Sequence, residues 1–281
     1  MLFKRVTIIG PGLIGASMGM ALREKGLSEE VIGVGRRESS LDMAIQAGAI
    51  DRATLDLREG VTNADMVVLA TGITTSLRLG LQAFPHLKEG CILTDVASTK
   101  SFLINGLEGE VPAGVSYVSA HPMAGSEQKG ASAAKADLFQ RALCLLTRTK
   151  ATRGDAFLKI EQLWREIGCR TREIDAEEHD ILLAQISHLP HIVASCLVNL
   201  VSEEGMELSA GGFRDTTRIA SGDPEIWRDI CLTNSECLSK TIRSYVSYLE
   251  DFEAKLLEGD SAGMEALLEE AKRKRDLFYS G

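Results

Sequence analysis

The chain has 281 residues, 44% hydrophobic and 25% charged, with a formal net charge of −9. That length leaves room for two ordinary globular domains, and the acidic balance argues against nucleic acid as a partner. Six cysteines with no C-x-x-C pair, and Lys4-Arg5 leading straight into the first strand without a secretory signal, suggest free thiols in a cytoplasmic protein.

Residues 6–9, Val-Thr-Ile-Ile, read as a short apolar strand. Gly10-Pro11-Gly12-Leu13-Ile14-Gly15 follows at once, and residues 16–25 have helical apolar spacing closed by Gly26. A Gly-x-Gly-x-x-Gly between strand and helix is a dinucleotide-binding fingerprint. Gly10 allows the tight turn, Gly12 lets the backbone approach a pyrophosphate, and Gly15 lets the helix pack on the strand. The phosphates would rest on the helix N-terminus, which Leu13 and Ile14 open.

Residues 31–34 form a second strand. A dinucleotide fold commonly ends it with an acid that holds the ribose 2′-hydroxyl. Here Gly35, Arg36, Arg37, Glu38 and Ser39 follow instead. The acid that would repel a 2′-phosphate is missing and two guanidiniums are present, so NADP is the expected cofactor, with NAD accepted as the lesser one.

The alternation continues with a helix at 41–47 and a strand at 64–70, whose exit loop carries Thr71 on the cofactor side. A helix at 76–84 follows, then a strand at 91–95 ending in Asp95, also on the cofactor side. Further strands lie at 117–120 and 143–147, and a helix at 155–167. This pattern argues for an α/β fold with a Rossmann-type, doubly wound, mainly parallel sheet. From residue 177 onward only helices are expected, over 177–204, 224–257 and 261–278. The division is therefore into a dinucleotide-binding domain, residues 1–175, and an all-helical substrate and dimerisation domain, residues 176–281.

The strand at 117–120 delivers His121 to its carboxyl end, where open α/β sheets place ligands, and Pro122 cannot continue the ladder. A histidine there suits acid–base work near neutral pH. Residues 181–201 are apolar enough to suggest a membrane span. Gln185, Ser187, His188, Pro190, His191 and Asn199 are costly in lipid, so a buried helix of the core or of a dimer interface is expected, and no membrane. His188 and His191, three apart, could share a helix face, but no third ligand joins them and no metal is expected. His86 and His179 read as exposed and uninvolved.

Several motifs then agree in order: Gly10-Pro11-Gly12-Leu13-Ile14-Gly15, Asp95-Val96-Ala97-Ser98-Thr99-Lys100, His121-Pro122-Met123-Ala124-Gly125-Ser126-Glu127, Ser187-His188-Leu189-Pro190-His191, Gly212-Phe213-Arg214-Asp215-Thr216-Thr217-Arg218-Ile219-Ala220, and Asp223-Pro224-Glu225-Ile226-Trp227-Arg228-Asp229. From about residue 6 to about residue 240 the chain resembles the prephenate/arogenate dehydrogenase family of tyrosine biosynthesis.

The resemblance implies oxidative decarboxylation of a cyclohexadienol with hydride transfer to NAD(P). It makes His121 the group that accepts the hydroxyl proton and Ser98 the group that orients the same hydroxyl. Arg218 would clamp the ring carboxylate and Arg214 the side-chain carboxylate. His191 and Ser126 would meet the substrate side chain, and Trp227 would wall the pocket. His188 would be structural or near the cofactor. The two arginines are also the local positive pocket that an acidic chain needs to bind an anion. Prephenate and arogenate both remain open as substrate, since a keto group suits His191 as donor while an ammonium would seek Asp215 or Asp223. A homodimer through the helical part is expected, and tyrosine feedback, where it operates, would act at the active site.

Two other readings compete. A different two-domain dehydrogenase of a small hydroxy acid would be favoured by a lysine on the first helix of the helical part, and none stands between Glu177 and Lys240. A nucleotide-sensing protein without chemistry would have no need to keep His121, Ser98 and Arg218 together.

Overall fold

The computed structural model describes residues 1–125 and 128–279. The chain forms two compact units, Met1–Ser235 and Glu236 onward.

The first unit is built on an eight-stranded sheet: β1 Phe3–Ile9, β2 Ser28–Val34, β3 Arg52–Thr54, β4 Met66–Leu69, β5 Ile92–Asp95, β6 Ser116–Pro122, β7 Leu143–Arg148 and β8 Arg170–Glu173. Their spatial order is β3-β2-β1-β4-β5-β6-β7-β8. The first six strands are parallel; β7 is antiparallel to β6, with His121 opposite Leu145, and β8 is parallel to β7. The strand order reverses direction between β1 and β4, the switch point where doubly wound sheets open a crevice.

The sheet is buried on both faces, which is why its central strands are continuous apolar runs rather than alternating ones. Ile8, Met66, Val68, Ile92 and Val118 pack on one face with residues of the helices Leu13–Glu24 and Gly154–Glu166. Ile9, Val67, Leu69, Leu93 and Tyr117 pack on the other with residues of Ile73–Ala83 and Ser101–Leu107. The two outermost strands, β3 and β8, fall outside the strands expected from sequence. They are three and four residues long and read Arg-Ala-Thr and Arg-Thr-Arg-Glu. Short charged strands at a sheet edge discourage pairing with another chain, and the same composition hides them from a hydrophobic pattern.

The helical part differs from expectation in its breaks. Asp175 caps the helix Ala176–Leu183 by accepting from the Glu177 and Glu178 amides. A π-turn, Ala184–His188, then leads into the helix Leu189–Leu200. Pro190 has no N–H to return to the preceding turn, a common setting for such a bulge. Short helices follow at Glu203–Glu207 and Gly211–Thr217, then a 3₁₀ turn, Arg218–Ser221. The expected single helix over 224–257 is interrupted. Pro224–Thr233, capped by Asp223, ends at Asn234, whose side chain turns inward. The second unit comprises the remainder of the helix Ser235–Glu258 and the helix Ser261–Tyr279, joined at Gly259 with φ +69°.

Candidate active site

A cavity of about 660 Å³ opens at the carboxyl ends of β1 and β4. Gly10, Gly12, Arg36, Arg37, Ser40 and Thr71 are among the residues that line it. The glycines fit a dinucleotide by geometry. Gly10 has φ +87°, and a Cβ there would stand 2.5 Å from the Thr71 methyl and 2.9 Å from the Ala70 carbonyl oxygen. A Cβ on Gly15 would stand 2.6 Å from the Gly10 carbonyl oxygen and 2.9 Å from Ile8. These two glycines let helix and turn close on the strands. Above Gly12, by contrast, no described residue lies within 4 Å, so its lack of a side chain leaves room for a ligand. The helix beginning at Leu13 and Ile14 has no side-chain cap and no acid in its first turn. Its free amides and dipole suit an anion. Arg36 and Arg37 are exposed on the cavity wall and, among the described residues, neither forms an ion pair. The fit to a dinucleotide is therefore one of both shape and charge. Arg78 also lines this cavity and went unnoticed in the sequence, where it reads as one more solvated helix residue.

Two strands away, His121 lies at the end of β6 and is almost fully buried. Burial, with the neighbouring His179, Lys100 and His188, drives its pKa well below the usual histidine value, so the imidazole is neutral near pH 7. Its Nδ1 lies 2.9 Å from His179 Nε2. His179 Nδ1 in turn lies 2.8 Å from Asp180 Oδ1. Ser98, half-buried, sits in the loop that leaves the adjacent strand β5. That loop is held by Lys100, which is fully buried. The Lys100 ammonium donates to Asp95 Oδ1 at 2.6 Å, Ala120 O at 2.7 Å and Ser119 Oγ at 3.0 Å, so all three N–H groups are used.

Helical segments of the same unit supply the other expected contacts. His191 is buried on Leu189–Leu200, and its ring stacks on Trp227 at 3.6 Å between centroids. The turn Arg218–Ser221 packs against this helix, as does Gly211–Thr217. Arg218 and Arg214 are both exposed there, and neither forms an ion pair among the described residues. Ser126 lies outside the described residues. The Asn234 amide donates to the Asp180 carbonyl at 2.7 Å and lies 3.1 Å from His188 Nδ1. A donor facing His188 Nδ1 puts the ring hydrogen on Nε2, which is buried without a partner among the described residues. Among the described residues no cluster of three or more His, Cys, Asp or Glu could hold a metal ion.

Residues 18–173 match the family model for the prephenate dehydrogenase nucleotide-binding domain, and residues 175–270 match that for the prephenate dehydrogenase dimerization domain. The chain belongs to the prephenate dehydrogenase family. It is 34% identical to a prephenate dehydrogenase of Lactococcus lactis subsp. cremoris, over 97% of this chain and 77% of that protein. It is 32% identical to a cyclohexadienyl dehydrogenase of Zymomonas mobilis, over 97% and 95%. A crystal structure of prephenate dehydrogenase from Aquifex aeolicus, in complex with hydroxyphenyl propionate and NAD+, superposes with a TM-score of 0.91 at 29% identity, covering 98% of each chain.

Two residues of this family member stand elsewhere than the sequence suggested. Asp95, expected on the cofactor side, is fully buried. Its carboxylate accepts from Lys100, Tyr117, Ser119 and the Ala97 amide, so the side chain braces β5 against β6 and has no open face for a ligand. His179, expected to be exposed and uninvolved, is fully buried and hydrogen-bonded to His121. The adjacent His179-Asp180 pair, just inside a capped helix start, was the available signal. His86 is half-buried in a 3₁₀ turn.

Proposed function

We propose that this chain oxidises prephenate in preference to arogenate, using NADP in preference to NAD. The reaction class is the family's: a cyclohexadienol loses hydride to a nicotinamide and carbon dioxide from the ring, and the ring becomes aromatic. The observation that carries the reading is His121, a neutral, nearly buried imidazole at the carboxyl end of β6, on the same edge of the sheet as the glycine-lined cavity.

Gly10, Gly12, Gly15 and the amides opening with Leu13 and Ile14 would hold the pyrophosphate, with Thr71 on the cavity wall. Arg36 and Arg37 would hold the 2′-phosphate. When bound, the nicotinamide accepts the hydride. His121 takes the hydroxyl proton as the ring carbonyl forms, while Ser98 orients that hydroxyl. Loss of the ring carboxylate as carbon dioxide leaves its electron pair in the ring, and the resulting phenolate takes the proton back from His121. The histidine thus ends the cycle neutral, with no net proton to expel.

Arg218 would clamp the ring carboxylate and Arg214 that of the side chain, and the absence of ion-pair partners among the described residues leaves both guanidiniums available. Prephenate is favoured because one carboxylate that could meet an ammonium is already spent. Asp223 caps the Glu225 and Ile226 amides and pairs with Lys129. A keto oxygen asks only for a donor, which His191, walled by Trp227, can supply.

By role the chain would divide near residue 175, into a dinucleotide-binding part and a helical part for substrate and dimer contacts, while its compact units divide after Ser235. A homodimer is supported by the helix Ala176–Leu200, of which only 28% of the most apolar stretch is buried, and by Ile181, Ile186 and Leu200, which are exposed on it. Covering that face in a dimer also accounts for its hydropathy in a soluble, cytoplasmic protein. Tyrosine, shaped like the product, would compete for the same arginines. The test crosses prephenate and arogenate against NADP and NAD, reading reduced cofactor. The largest kcat/KM belongs to prephenate with NADP; a larger value for arogenate or for NAD overturns that part of the proposal.

A further inference from the structure

A general base needs its lone pair on the nitrogen that meets the substrate, and a neutral imidazole carries its one hydrogen on either nitrogen. Something must choose. In this fold the choice traces back to the start of the helix Ser101–Leu107. There the Lys100 amide donates to Asp180 Oδ1 at 2.8 Å and the Ser101 amide to Asp180 Oδ2 at 2.9 Å. Both carboxylate oxygens are thus fixed as acceptors. Burial alone would push the Asp180 carboxyl up, but His179 and these two amides outweigh it and hold the group below its ordinary value, ionised.

An ionised Asp180 can only accept, so His179 carries its hydrogen on Nδ1, 2.8 Å away. Burial keeps His179 neutral against the pull of Asp180. Its Nε2 is then a lone pair. The next contact, 2.9 Å to His121 Nδ1, can be a hydrogen bond only if His121 donates. The hydrogen of His121 is therefore on Nδ1, and Nε2 is its lone-pair nitrogen.

We propose that His179 and Asp180 are positioning residues, which through the chain Asp180–His179–His121 fix the tautomer of His121 with Nε2 free to accept the substrate proton. The proposal rests on the assignment of His121 as the base and adds the device that prepares it. The same chain disperses the charge that His121 gains. When Nε2 takes a proton, its Nδ1–H already points at His179, whose own Nδ1–H points at a carboxylate. Among the described residues, the other ionisable groups around this relay are Lys100 and Asp95 from β5 and its exit loop, His188 from the π-turn, and Cys144 from β7. Lys100 is paired to Asp95, and the cysteine thiol is held up by burial and stays neutral.

The test is the ring-proton position of His121 in the intact protein, by long-range ¹H–¹⁵N spectra. The chain has five histidines, and the His121→Asn spectrum assigns the signal. The proposal expects Nδ1–H and a bare Nε2 at about pH 7.5; a hydrogen on Nε2 overturns it. In the companion kinetics, His179→Phe should lower kcat by on the order of 10²-fold with KM for NADP unchanged, since the tautomer is no longer enforced. His179→Gln, whose amide can accept from His121 while donating to Asp180, should restore most of that loss. Equal damage in Phe and Gln variants, or none in either, means a packing role and overturns the relay. If His121→Asn is itself harmless, the base assignment fails, which is a separate outcome.

Discussion

The imidazole of His191 lies flat on the indole of Trp227, with ring centroids 3.6 Å apart and planes 8° from parallel. The pair is held at one edge by Gly222. A Cβ on that glycine would stand 2.3 Å from Trp227 Nε1, 2.7 Å from Cδ1 and 3.1 Å from His191 Cε1. The Gly222 backbone is extended, at φ −62° and ψ 160°, so alanine brings no backbone strain there. Gly222→Ala should therefore act on the stack alone. Overpacking of about 1–3 kcal/mol corresponds to roughly 5- to 150-fold in KM for the cyclohexadienol, with KM for NADP unchanged. Steady-state kinetics check it, and an unchanged KM for prephenate would remove His191 and Trp227 from the substrate pocket.

Lys100 and Asp95 form the most buried ion pair described in the chain, at 2.6 Å with both side chains at 0% exposure. Removing one partner strands the other in a site closed to bulk solvent. Lys100→Ala should cost about 3–5 kcal/mol of stability. Lys100→Met, which keeps the volume but still leaves Asp95 unpaired, should cost nearly as much. Urea unfolding measures both. A loss below about 1 kcal/mol in each would mean that the pair does not brace the β5 and β6 strands.

Acid should destabilise the fold before any carboxylate titrates. Burial lowers His188 to about 4, and His121 and His179 are lowered as well. Each binds a proton in the unfolded chain near pH 6.5 but not in the fold. Stability is thus full above about 6.5 and falls with pH below it, at about 1.4 kcal/mol per unit for each such histidine. Asp180, held below its ordinary value, adds its own loss only under about pH 4. The urea midpoint should drop between about pH 7 and about pH 5. A flat midpoint over that range would contradict the burial of these rings as neutral groups. In the same range the acid limb of kcat/KM should lie below the ordinary histidine value, because free His121 stays unprotonated.

Arg36 and Arg37 stand where an NAD-specific fold keeps an acid. Replacing both with alanine should raise KM for NADP by about 10- to 100-fold, the worth of one or two charge-assisted hydrogen bonds, and leave KM for NAD within about threefold. Equal effects on both cofactors would reduce the pair to solvated loop residues.

How much of this was legible in the sequence depends on what each residue answers to. The strand–glycine–helix start and the central strands were legible because backbone geometry and two-sided burial leave a local pattern. The family's position of His121 was legible because it ends an apolar strand. Asp95 and His179 were not. Asp95 stands at a strand end where ligands gather, and only the tertiary return of Lys100, Tyr117 and Ser119 consumes its carboxylate. His179 looks like a polar residue on a solvated helix turn, and only its tertiary contact with His121, 58 residues away in sequence, shows it to be buried and engaged. The edge strands β3 and β8 were hidden by the charges that protect them. The break at Asn234 was hidden because a buried amide serving His188 and Asp180 looks, locally, like one more helical residue.

The central claim is that His121 takes the substrate proton, and the most direct measurement is kcat of His121→Asn beside its Kd for NADP. Asparagine keeps a polar group near His179 without a basic nitrogen. The account predicts a fall in kcat of ~10²–10⁴-fold with NADP affinity and unfolding midpoint unchanged. A fall of less than about tenfold, in a protein that folds and binds NADP as before, would contradict it.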